Sequence, residues 1–205
     1  MRVSEDRFSR DLRRIELAKR LIALEVRTLW IRMWTGLTGN TVRNLYRSYI
    51  ADQASPPRRR RGPPPSNPLL FLRSPALLEE ASVLAALAVR FGVVPPEPVS
   101  NARRALAHLE VGERLCQAYE LFRYVVPAAI FGMEQFMVLV FALAERKELR
   151  LDFCQGCQGV LLVDCLGRMR RTCPGCRSED SSLTEKDPSE GSPPLPGAAF
   201  QQSLF

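Results

Sequence analysis

Two short cysteine turns, Cys154-Gln-Gly-Cys157 and Cys173-Pro-Gly-Cys176, restrict what the C-terminal part of this chain can become more than any other feature. Their spacing is C-x2-C-x15-C-x2-C. A Cys-x-x-Cys turn aims two sulfurs at one centre, and glycine at the third position of each turn relaxes the backbone so that amides can face the sulfurs. Two such turns complete a tetrahedral four-thiolate set with no open position, which suits one structural Zn(II) per chain. Two disulfides, an iron–sulfur centre and a redox Cys-x-x-Cys are the alternatives. The N-terminus, MRVSEDRFSRDLRR, has no apolar leader, so the expected setting is the cytoplasm, where reduction disfavours disulfides. The flanking pieces LRLDF and VLLVD alternate in polarity and predict short strands. Small metal knuckles bury little apolar surface, so this module is expected to need its metal to fold. Cys116 and Cys165 lie outside the pattern and read as small buried hydrophobes. The one histidine, His108, has no nucleophile motif beside it, so an enzyme is not expected.

Ahead of the cysteines the periodicity is helical, and the fold class expected is mostly α, closed by a small zinc-ribbon-like module. Ser4 is placed to cap a helix over residues 4–25, with Phe8, Leu12, Ile15, Ala18 and Ile22 on its apolar face. Further helices are predicted from Leu29 to Met33 and from Asn40 to Ile50. Ser74-Pro75 opens another that runs to Phe91-Gly92. Two more fit 99–111 and 113–126, with Gly112 as the break. The helix over 132–147 is apolar on most sides and reads as central. Its segment FGMEQFMVLVFALA is expected to leave apolar surface for a partner. The greasiest stretch, Val125 to Ala144, is cut by Pro127, Gly132, Glu134 and Gln135, so no membrane segment is expected. The chain divides into an N-terminal helical region (1–51), a Pro/Arg-rich linker (52–68), a second helical region (69–148), the four-cysteine module (149–177) and an acidic, disordered tail (178–205).

Charge is uneven along this layout. Residues 1–62 hold 15 basic against 6 acidic side chains, and 63–150 hold 9 of each. A segregated positive end favours a polyanion, and nucleic acid is the commonest one in a cell. Within that end, Thr28 to Arg47 fits a helix-turn-helix in which Gly36 makes the turn and Thr38 caps the second helix. Ile31, Leu37, Val42 and Leu45 are then the buried contacts. Asn40, Thr41, Arg43, Asn44 and Arg47 fall on the outer face, where such side chains bond base edges and phosphates. Arg32 dissents, since a small residue is expected where the two helices approach. The linker, whose prolines remove donors and whose four arginines repel one another, is expected to be flexible and unpacked, and its Arg58, Arg59, Arg60 and Arg61 to meet phosphates without reading sequence.

The order of these parts resembles a known family. The stretch RRIELAKRLIALEVRTLWIRMWTGLTGNTVRNLYR, the proline-rich link with its SPP and FLRS pieces, the helical middle and the late cysteine pairs are similar to FlhC, the C subunit of the flagellar master transcriptional activator, over roughly residues 10 to 177. The resemblance implies that Cys154, Cys157, Cys173 and Cys176 bind zinc. It also implies an FlhD-type subunit as partner in a hetero-oligomer, double-stranded promoter DNA as target, and recruitment of RNA polymerase to flagellar genes. PLLFLRSP lacks the tryptophan usual after the link, and the RRRR insert and the acidic tail are additional. A zinc-ribbon structural adaptor without direct DNA binding is the alternative.

Overall fold

The computed structural model describes residues 2–51, 54–58, 60–167 and 171–177. The tail 178–205 and Arg59 lie outside them. The chain is mostly helical. Helix α1 spans Arg2–Ala23, α2 Thr28–Thr35, α3 Gly39–Tyr49, α4 Pro75–Arg90, α5 Ala102–Ala105, α6 Leu109–Val125 and α7 Met133–Glu145, with a 3-10 turn at Pro68–Leu72. Strands β1 (Leu149–Phe153) and β2 (Val160–Asp164) pair antiparallel, Leu149 opposite Asp164 and Phe153 opposite Val160. No helix among the described residues is long and apolar enough to cross a membrane.

Helix α7 is the axis of the core. Phe136, Met137, Leu139, Val140 and Ala144 are fully buried in it, because its apolar residues cover nearly every direction and neighbours must surround it. Trp30 and Trp34 of α2 both stack on Phe141 of α7, with ring centroids 5.5 and 6.0 Å away. The N-terminal and middle helical regions therefore share one apolar cluster. Since α7 is covered within the chain, the apolar surface expected for a partner does not come from it. Exposed apolar side chains are found instead at Phe8 and Leu12 on α1 and at Tyr124, Val125 and Ile130.

Three helix boundaries differ from the sequence reading. Helix α1 begins at Arg2, so Ser4 lies within it rather than at its cap. Its apolar stripe is buried only from Leu17 onward, where α2 and α6 cover it. The predicted 99–111 helix is reduced to the single turn α5, and α6 runs unbroken through Gly112. That glycine is there for close approach: a Cβ on it would lie 2.8 Å from Leu17 Cδ2 and 3.5 Å from Trp34 Cε3. Helices α1 and α6 run side by side in the same direction, joined by two-pronged Arg13–Glu113 and Arg20–Glu120 ion pairs.

Gly112→Ala weighs two effects of opposite sign. Ala gains about 1 kcal/mol in helix propensity, and overpacking against a filled core costs about 1–3 kcal/mol. Leu17 is only 1% exposed, so its terminal methyl can turn away only against other core side chains, and a net destabilisation of about 1 kcal/mol is expected. In a Leu17→Ala background the struck methyl is gone and the added Cβ is expected to stabilise. Urea midpoints of the four proteins check this.

Among the described residues 54–58 and 60–67 the linker contains neither helix nor strand, as its prolines dictate. It is nonetheless fastened. The Arg58 amide donates to Glu25 Oε1 at 3.2 Å, Arg60 donates Nε and Nη2 to Glu25 Oε2 at 3.2 and 3.1 Å, and Arg27 Nη2 donates to the Arg61 carbonyl at 3.3 Å. The expectation of an unpacked tether misses these contacts because their partners lie in the α1–α2 connection, more than thirty residues back.

Candidate metal centre and basic helix pair

The β-hairpin carries the first cysteine turn at its tip. Cys154 follows the last residue of β1, its amide donates to the Gly159 carbonyl at 2.8 Å, and the Gln158 amide returns to the Cys154 carbonyl at 2.9 Å. The second turn folds over the first through Gln155 N to the Arg171 carbonyl, 2.8 Å. Residues 174–177 then make one helical turn behind Cys173. The four sulfurs of Cys154, Cys157, Cys173 and Cys176 all lie within 4.8 Å of one another, and Cys157 and Cys173 are 3.8 Å apart.

Two glycines make this packing possible. A Cβ on Gly156 would fall 2.9 Å from Cys176 Sγ, and one on Gly159 would fall 3.3 Å from Cys157 Sγ. Amides point inward as well, Cys173 N at 3.2 Å from Cys154 Sγ and Cys176 N at 3.5 Å from Cys173 Sγ. Donation from the amides of Cys157, Cys173 and Gly156 lowers the Cys154 thiol to about 6. The bonds Cys176 makes to the sulfurs of Cys173, Cys157 and Cys154 push its thiol up. The inward amides thus suit the Cys154 sulfur to the thiolate form. Such a four-sulfur cage can hold a metal ion. The sequence pattern locates all four sulfurs of the cage, and misses only Gly159, which lies outside both turns.

The root of this module belongs to the helical core. Leu149, Leu161, Leu162 and Val163 are at most 1% exposed, β2 packs on α4 and β1 on α7, and the Leu162 amide donates to Ser82 Oγ at 3.4 Å. Cys116 and Cys165 stay out of the cage. Cys116 is buried on α6, where desolvation pushes its thiol up to about 12. Cys165 is only half-buried and donates to the Arg146 carbonyl at 3.5 Å. His108 is exposed at the start of α6.

The predicted helix pair forms at α2 and α3. Gly36 ends α2 in the left-handed region at φ 70°, and Thr38 caps α3 by accepting from Thr41 N. Ile31, Val42 and Leu45 are buried and Leu37 packs against them. Arg32 is accommodated because its side chain stays exposed, its stem passing Gly39 at a distance where even a Cβ would be in ordinary contact, 3.7 Å from Arg32 Cδ. Asn40, Arg43, Asn44 and Arg47 are exposed and Thr41 half-buried along one side of α3. Arg43 folds back on its own helix, donating to the Gly39 carbonyl at 3.2 Å and to Asn40 Oδ1 at 2.5 Å. Arg58, Arg60 and Arg61 are exposed. Comparison with protein-family models and with curated proteins gives no match. The arrangement of residues therefore carries the functional reading alone.

Proposed function

We propose that this chain is a DNA-binding transcriptional activator of the FlhC kind, acting with an FlhD-type subunit to bring RNA polymerase to flagellar promoters. The observation that carries the DNA-binding part is the capped helix α3, which hangs on α2 through a left-handed glycine and presents Asn40, Thr41, Arg43, Asn44 and Arg47 on one side. A helix of this kind enters a major groove with its first turns against base edges. The bonds that Arg43 makes within its helix are solvent-exposed and exchange at little cost for guanine or phosphate acceptors.

The cage at Cys154, Cys157, Cys173 and Cys176 is read as a zinc site. Four thiolates about 2.3 Å from a tetrahedral Zn(II) stand about 3.8 Å apart, which is the separation of Cys157 and Cys173. Zinc there ties the two turns together and does no chemistry, because four protein ligands leave no open position. The adaptor reading draws on the exposed apolar side chains Phe8, Leu12, Tyr124, Val125 and Ile130, which a partner without DNA would cover equally well.

Binding of the purified protein to duplex DNA as a function of salt separates the two readings. An activator gives a linear fall of log affinity with log salt, and an adaptor gives no binding. On a promoter site, Arg43→Ala and Asn44→Ala are each expected to cost about 1–3 kcal/mol; on random duplex Asn44→Ala is expected to change little, whereas Arg43→Ala loses only what a phosphate contact supplies. Full promoter affinity in both folded variants moves the contact off α3.

A further inference from the structure

The linker reads from sequence as a loose arm, and the structure instead fastens Arg58 and Arg60 beside α3 through one side chain. Glu25 stands just past the end of α1 with φ 58°, a conformation that costs a non-glycine residue about 1 kcal/mol. Its two carboxylate oxygens are both spent on the linker, one on the Arg58 amide and the other on the Arg60 guanidinium. Arg60 in turn lies against the backbone before α7, its Nη2 3.3 Å from where a Cβ on Gly132 would be. Two residues on, Arg27 holds the Arg61 carbonyl and keeps its remaining charge for buried Glu134.

The cleft so formed is bordered by Thr28, Arg43, Tyr46, Pro57, Arg58 and Arg60. Arg27 and Arg60 are neutralised by Glu134 and Glu25. Arg43 and Arg58 have no carboxylate partner among the described residues. One of these two cations comes from the helix that faces a groove and the other from the linker, and they border the same opening.

We propose that Glu25 is a positioning residue that holds the arginine linker against α3, so that Arg58 and Arg43 grip one backbone phosphodiester of a bound duplex together. This rests on the DNA-binding reading above. It reverses the ordinary sign of a charge change: removing a carboxylate near a basic surface normally tightens DNA binding, whereas here it releases the linker and weakens binding.

The probe is a random-sequence duplex titrated with the full chain at several salt concentrations. Glu25→Gly removes the carboxylate and relieves the positive φ, so the variant keeps its fold. It is expected to bind about three- to tenfold more weakly, with a slope of log affinity against log salt smaller by about one. Glu25→Gln keeps an acceptor for the Arg58 amide and is expected to fall between. Arg43→Ala and Arg58→Ala are each expected to weaken binding, and the double variant less than their product, since both lose the same phosphate. If the parent binds and Glu25→Gly binds as tightly or more tightly, or if the two arginine effects simply multiply, the proposal is overturned and the DNA-binding reading stands. If the parent binds no duplex, the DNA-binding reading fails and takes the proposal with it.

Discussion

Each purified chain is expected to carry one equivalent of zinc, and exchanging Cys154 or Cys173 for Ser is expected to remove it, because three thiolates and a hydroxyl do not close the tetrahedral cage. The structural effect should be local. The hairpin root is held by Leu149, Leu161, Leu162 and Val163 inside the helical core, and by Ser82 on α4, none of which depends on metal. Chelation is therefore expected to leave helical circular dichroism nearly unchanged. Amide exchange should speed up in residues 154–159 and 171–177, and protection at Leu162 should persist. Full zinc occupancy in both variants sinks the ligand assignment. Melting of the helices on chelation sinks the claim that the root folds without metal and favours the expectation from sequence alone, that the module needs its metal to fold.

Glu134→Ala is expected to be strongly destabilising for the helical part. Glu134 is 3% exposed at the start of α7, where it accepts from the Arg27 amide at 2.7 Å and from the Arg27 guanidinium. Removing one partner of a buried pair strands the other, a loss of about 3–5 kcal/mol. The low end applies, about 3 kcal/mol, because the Arg27 side chain keeps 18% exposure and its bond to the Arg61 carbonyl. Glu134→Gln keeps the acceptor for the Arg27 amide and is expected to cost about half as much. The double variant Arg27→Met, Glu134→Met replaces the pair by apolar bulk and is expected to recover most of the loss. Denaturant midpoints at unchanged slope measure all three. A loss below about 1 kcal/mol for Glu134→Ala would mean that the pair is solvated and idle.

What the sequence made legible were features whose partners sit within a few residues. The cysteine turns, the Thr38 and Ser74 caps and the Gly36 turn are of this kind, and each forms where its local chemistry places it. The central position of α7 was legible because its composition leaves no polar side to turn outward. The misreadings share the opposite property. Gly112 looks like a helix break until Leu17 and Trp34, distant in sequence, are seen against it. Phe8 and Leu12 continue an apolar stripe past the point where the chain has anything to cover it. Glu25 is an ordinary acidic residue until the linker returns to it, and Glu134 looks like an interruption of a greasy helix until Arg27 meets it. Pairings of this sort depend on which helices become neighbours, and local periodicity is silent about that.

The two clamps between α1 and α6 make the alignment of those helices a matter of whole steps. Arg13 with Glu113 and Arg20 with Glu120 repeat after seven residues on both helices, which is two turns. A slide of one turn, about 5.4 Å, would part both pairs at once and carry the Gly112 notch away from Leu17. Intermediate positions satisfy neither. Exposed ion pairs add little to stability, so their worth here is selective: they separate the native alignment from its nearest rivals. Helix α1 also leads into Glu25 and the basic cleft. The same toothed seating therefore sets how far α3 and the arginine linker stand from the α6 side of the molecule, as a gauge block sets a caliper.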